Sequence, residues 1–129
     1  MATKDAHRAL AEELLGQMRK TQTESEWPIA VDAGFYAVFH ALEALNAVEC
    51  RDSYSFADAA DILDNVLTGR VLKPSVRQAY HHMFYFRRGT LYGCHTPTRA
   101  QIADYCKTAE RCYTQIAEKL DGTAKRESA

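Results

Sequence analysis

Residues 27–49, WPIAVDAGFYAVFHALEALNAVE, decide the fold. Wound as a helix, the stretch is apolar at nearly every position except one narrow line: Asp32, Tyr36, His40, Glu43 and Asn46. A helix apolar around most of its circumference has to be packed by neighbours on several sides. It is therefore expected to be the central, most buried helix of a bundle. Pro28 suits its first turn, where the N–H that proline lacks would have no helical partner.

The flanking sequence supplies the neighbours. A first helix is expected from Lys4 to Lys20, with Ala6, Leu10, Leu14 and Met18 on one stripe, followed by a polar connection from Thr21 to Glu26. Beyond the central helix, Ser55 and Asp58 resemble a capping box. They open a short helix, Phe56 to Leu67, with Phe56, Ala60, Leu63 and Leu67 inward, Asp58, Asp61 and Asp64 toward water, and Gly69 at its end. A further helix starts near Pro74 and reaches at least Arg88. The last is expected from Pro97 to Leu120, with Ile102, Cys106, Ala109, Tyr113, Ile116 and Leu120 in register, and Asp121-Gly122 as its stop. Alanine is abundant, β-branched residues are sparse and alternating runs are absent. The expected fold is thus all-α: an up-and-down bundle of four main helices plus a short fifth. Residues 1–121 form the single domain and residues 122–129 a flexible C-terminal tail.

Bulk properties narrow the function classes. A chain of 129 residues supports one core. The formal net charge of -1 provides no global basic field, so any nucleic-acid contact has to be local. No segment reads as long and apolar enough to cross a membrane, and the start carries charges where a signal peptide is apolar. A cytoplasmic protein with no membrane partner is expected, its four cysteines (Cys50, Cys94, Cys106 and Cys112) reduced. None forms a CxxC pair, and no metal or cofactor is expected. Phosphate-cradling glycine loops, GxSxG and HExxH are all absent.

The chemistry-bearing stretch is FRRGTLYGCH, residues 86–95. On the helix from Pro74, residues Val76, Ala79, Tyr80, Met83, Phe84, Phe86 and Leu91 make an apolar arc, and Arg87 falls inside it. Arg88 lies beside the arc, on a stripe with Arg77, His81, Tyr85 and Tyr92. An arginine on an apolar face needs a carboxylate, a carbonyl or a bound anion. Two accounts of Arg87 stay open: an ion pair with Asp32 or Glu43, or a phosphate-binding arginine in a cleft. Gly89 and Gly93 weaken the helix and would let His95 swing back toward the arginines. His40 reads as a neutral core residue, His7 as exposed, and His81 and His82 as a solvated face.

The phrase from Asp32 to Leu45, DAGFYAVFHALEAL, resembles the YYAxFHAxxAL helix of HEPN domains. An Arg-plus-His or Arg-plus-Tyr segment follows, and Ala103 to Ile116 is similar to the closing helix of that family. The resemblance spans roughly residues 5 to 120. It implies a helical bundle that pairs as a homodimer, without metal. It further implies RNA or a nucleotide, a partner nucleotidyltransferase, or an antitoxin as the binding partner. Many members are metal-independent endoribonucleases of toxin or defence type, with a motif of Arg, four to six residues, then His. Arg88 and His95 have six residues between them and would be the catalytic pair, although Gly89 stands where the family usually has a polar residue. Histidine titrates near neutrality and can exchange a proton with a ribose 2′-OH or the leaving 5′-oxygen, while arginine stabilises phosphoryl charge. In the competing alignment Arg87 and Tyr92, with four residues between them, form a ligand-binding pair. A phenol is a poor base at neutral pH, so that alignment implies a catalytically silent binding or assembly module.

Overall fold

The computed structural model describes residues 3–48 and 72–128, and in these every regular element is a helix. α1 spans Lys4–Lys20, α2 Trp27–Val48, α3 Pro74–Arg87 and α4 Arg99–Ser128, with a π-helical turn, Arg88–Tyr92, continuing α3. The short helix expected from Phe56 to Leu67, with its Ser55–Asp58 cap, lies outside the described residues.

α2 is the centre, packed by α1, α3 and α4. Its Ala30, Val31, Phe35, Ala37, Val38, Ala41, Ala44 and Leu45 are all fully buried. The expectation that no segment could cross a membrane needs correcting. Trp27–Ala47, with mean hydropathy 1.2, is long and apolar enough by composition, yet 67% of that window is buried within the bundle. Its apolar circumference serves the helices packed around it.

Thr3 caps α1 by accepting the Ala6 N–H at 3.1 Å, and Thr21 closes it, its hydroxyl donating to the Gln17 carbonyl at 2.8 Å. The buried face of α1 is Ala11, Leu15 and Met18, while Ala6 and Leu10 are exposed and Leu14 is half-buried. The expected Ala6–Leu10–Leu14–Met18 stripe fails because steps of four residues drift by about 40° per step on a 3.6-residue helix. Met18 reaches the core; Leu10 and Leu14 turn toward a cleft instead. Gly34 lets α1 and α4 pack closely on α2: a Cβ there would lie 2.7 Å from Met18 Sδ and 3.3 Å from Tyr105, so the Met18 side chain would have to shift.

α4 begins at Arg99, two residues later than expected, because Thr98 supplies the cap. The Thr98 hydroxyl accepts the Gln101 N–H at 3.1 Å, and Gln101 Oε1 accepts the Thr98 N–H at 2.8 Å, a full capping box. The helix also runs past Asp121-Gly122 to Ser128 instead of stopping there. Its core residues Ile102, Tyr105, Cys106, Ala109, Cys112, Ile116 and Leu120 follow helical spacing, with Tyr113 partly buried beside them. Burial pushes the Cys106 thiol up to about 11 and the Cys112 thiol up to about 12, which leaves both protonated and inert at neutral pH. Outside the core, Arg8 pairs with Asp121 at 2.6 Å and Arg19 with Glu110 at 2.7 Å, joining α1 to α4. Such exposed pairs contribute little; apolar burial holds the helices together.

Candidate functional site

Arg87 is the organising residue. It is the last residue of α3 and sits among the core positions Val76, Tyr80 and Met83, so its side chain is only 8% exposed. Its Nε donates to Asp32 Oδ1 at 2.8 Å, while Nη2 approaches the hydroxyls of Tyr36 at 3.4 Å and Tyr92 at 3.3 Å. The guanidinium carbon also stands 5.2 Å from the ring centroids of Phe35, Tyr36 and Tyr92, within cation–π range. Burial works against the charged guanidinium, but the Asp32 hydrogen bond and charge outweigh it, with help from Tyr36 and Tyr92, so Arg87 holds its proton more tightly than usual. Burial likewise raises the Tyr36 phenol, opposed by Arg87.

Of the two accounts of Arg87, the ion pair is the one observed, and Asp32 is the acid. Asp32 and Tyr36 are four residues apart on α2, so one turn presents both to the same guanidinium. Glu43, the other acid considered, is buried further along α2, where its charge bears on the Tyr80 phenol.

The turn after α3 sets where Tyr92 stands. The wider π-helical repeat closes with the Gly93 N–H donating to the Arg88 carbonyl at 2.9 Å. Gly93 cannot carry a side chain, since a Cβ would fall 2.6 Å from the Gly89 carbonyl oxygen. Cys94 then adopts a left-handed conformation (φ 57°), and the His95 N–H returns to the Gly89 carbonyl at 3.2 Å. The two glycines therefore do permit a bend. It seats Tyr92 over Arg87 and leaves His95 exposed. Arg88 is exposed as well, and no hydrogen bond or ring contact joins its side chain to His95. The structure thus brings Arg87 and Tyr92 into hydrogen-bonding contact.

The Arg87 cluster floors an open cleft of about 710 Å³. Its walls are Leu10, Leu14 and Gln17 of α1, Pro28, Ile29, Ala33, Tyr36 and His40 of α2, and Leu91 and Tyr92 of the π-turn. Sequence reasoning missed the α1 contribution, because a shared stripe with Ala6 and Met18 does not say which neighbour Leu10 and Leu14 face.

It also missed the pairing at the far end of the cleft. His7, expected to be exposed, is half-buried and stacks on His40 with ring centroids 5.4 Å apart and Nδ1 atoms 3.2 Å apart. One ring must donate and the other accept, which requires at least one neutral imidazole. Burial first, and then the charge of His7, push His40 below the usual imidazole range. The folded state therefore binds fewer protons here than the unfolded chain. This contribution to stability is complete above the ordinary imidazole range and is lost as pH falls through it. Urea unfolding between pH 7.5 and 5.5 (about one unit to either side of the usual imidazole value) should show stability falling toward acid. His40→Gln should flatten that slope; an unchanged slope would remove His40 as its source.

Among the described residues no group of three or more His, Cys, Asp or Glu is placed to hold a metal ion. In comparison with known proteins, no protein-family model matches the chain and no curated protein matches it.

Proposed function

We propose that this chain is a catalytically silent, HEPN-like assembly module that pairs with a second copy of itself through the Arg87 cleft. The observation that carries the reading is the placement of apolar surface. Four large apolar side chains are exposed among the described residues, and three of them, Leu10 (39%), Ile29 (45%) and Tyr92 (69%), border this one cleft. Clustered exposed apolar residues with a polar centre mark a protein contact surface. The charge state of the floor supports the same reading. Asp32 holds the Arg87 Nε at 2.8 Å and balances its charge, so the floor offers little net attraction to a phosphate. A dimer face needs no such attraction.

Analytical ultracentrifugation across a concentration series tests the pairing. The chain should sediment as a dimer, and Ile29→Asp, which places a charge on the rim without touching the core, should sediment as a folded monomer with unchanged circular dichroism. A native chain that stays monomeric at the highest concentration would overturn the proposal. Incubation with total RNA, with and without chelator, tests the silence: the RNA should stay intact. Cutting by the native chain that is lost in both Arg88→Ala and His95→Ala would instead establish an endoribonuclease using Arg88 and His95.

A further inference from the structure

Two helix faces wall the Arg87 cleft, and both end in an imidazole. On α1 the cleft is lined by Gln17, Leu14 and Leu10, and the same steps of three and four residues lead next to His7. On α2 the lining runs Ile29, Ala33, Tyr36 and His40 by the same spacing. His7 and His40 are thus the last rung between the two walls. Their Nδ1 atoms, 3.2 Å apart, tie α1 to α2 at that end, and both side chains are half-buried. The His40 ring is further covered by Phe39, edge-on with centroids 5.4 Å apart.

The rung holds while at least one ring is neutral. With both charged, neither nitrogen accepts a hydrogen bond and two cations face each other. The other ionisable groups around it are Lys4, one turn before His7 on α1, and Tyr36 and Glu43, about one turn to either side of His40 on α2. Across the cleft floor, Asp32, Tyr36 and Tyr92 hold Arg87. On α4, Tyr113 and Asp121 are engaged with Glu12 and Arg8. Burial first, and then the charge of His7, disfavour a charged His40, and none of the other groups opposes them. A second copy laid over the cleft would take more water from the same ring and disfavour its charge further. We propose, on the basis of the pairing through the Arg87 cleft set out above, that the His7–His40 rung makes that pairing acid-sensitive. As pH falls, both imidazoles take up protons, the rung opens, and the charged rings hold water at the end of the cleft that a second copy has to dry. The separated copies bind more protons than the pair, so acid favours separation.

Analytical ultracentrifugation at about pH 7.5 and about pH 5.5, at one ionic strength and with circular dichroism at both, tests this. The dimer dissociation constant of the native chain should rise roughly tenfold toward acid, the order expected when each copy takes up one proton near the ordinary imidazole value. Helix content should not change. His40→Gln keeps a hydrogen-bonding group that does not titrate; whatever its strength near neutrality, its dissociation constant should be the same at both pH values. His7→Gln leaves His40 beside a group that never charges and should reduce the ratio, which keeps the test open if His40→Gln does not fold. His82→Gln, at an exposed position on α3 away from the cleft, should keep the native ratio. A native chain that is monomeric at both pH values would overturn the pairing and the acid response together. A native dimer of equal strength at both would overturn the acid response alone. So would the native ratio persisting in both His40→Gln and His7→Gln, or separation accompanied by loss of helix.

Discussion

Asp32→Ala should destabilise the fold more than Arg87→Met, although the two residues form one ion pair. The two ends of the bridge differ in exposure, 8% for the Arg87 side chain and 47% for Asp32. Removing Asp32 strands a cation among three aromatic rings. Removing Arg87 leaves a carboxylate that water already reaches. Breaking a fully buried pair costs roughly 3–5 kcal/mol. With one partner half-exposed, about 2–3 kcal/mol is expected for Asp32→Ala, and Arg87→Met, which refills part of the space with an apolar chain, should cost about half as much. The double variant should recover most of the Asp32→Ala loss, because the stranded charge goes with it. Urea titration of the four proteins in a double-mutant cycle reads all of this. An Arg87→Met penalty larger than that of Asp32→Ala would show that packing of the guanidinium, and not its charge, is what the site needs.

Tyr105→Ala should have the largest effect in the molecule, about 3–5 kcal/mol by comparison with other large aromatic truncations in cores. Tyr105 is almost wholly buried, stacks on Phe86 with centroids 4.8 Å apart, and donates its hydroxyl to the Val31 carbonyl at 2.7 Å. Phe86 directly precedes Arg87, and Val31 directly precedes Asp32. One α4 side chain thereby sets the spacing between the two chain segments that carry the ion pair. Tyr105→Phe keeps the stack and loses the hydrogen bond; a cost of about 1 kcal/mol is expected. Thermal and urea unfolding measure both variants. Equal penalties for Phe and Ala would mean that the hydroxyl, and not the ring, locks the segments.

The parts of this architecture legible in the sequence are those governed by local chemistry. The span of α1, the start of α2 at Trp27-Pro28 and the start of α3 at Pro74 follow from helical periodicity and proline placement. Arg87 could be recognised as an inward arginine because a single helical projection placed it among apolar neighbours. Thr98 and Gln101 had the spacing of a capping box, so the later start of α4 was readable in principle. The continuation of α4 past Gly122 was not, since glycine weakens a helix without forbidding it.

Other features depend on how helices meet. Nothing local distinguishes Asp32 from Glu43 as the partner of Arg87; the choice follows from where along α2 the end of α3 arrives. Nor does periodicity reveal that Leu10 and Leu14 wall a cleft, or that His7 stacks on His40 across 33 residues of chain. The π-turn belongs here as well, because its extra residue per turn swings Tyr92 onto Arg87 and leaves His95 outside.

The sequence by itself determined that the chain is helical, that the helix from Trp27 is its centre, and that Arg87 must face inward and find a counter-charge. These are consequences of burial and of the cost of an unpaired cation, and both act on single residues and their nearest neighbours. Only the tertiary structure decided which acid answers Arg87, that Tyr92 hydrogen-bonds to it, and which apolar side chains remain outside to border the cleft. Those outcomes depend on the relative placement of whole helices, which is set by the packing of side chains such as Met18 and Tyr105 around Gly34 and leaves no mark within any one stretch of sequence.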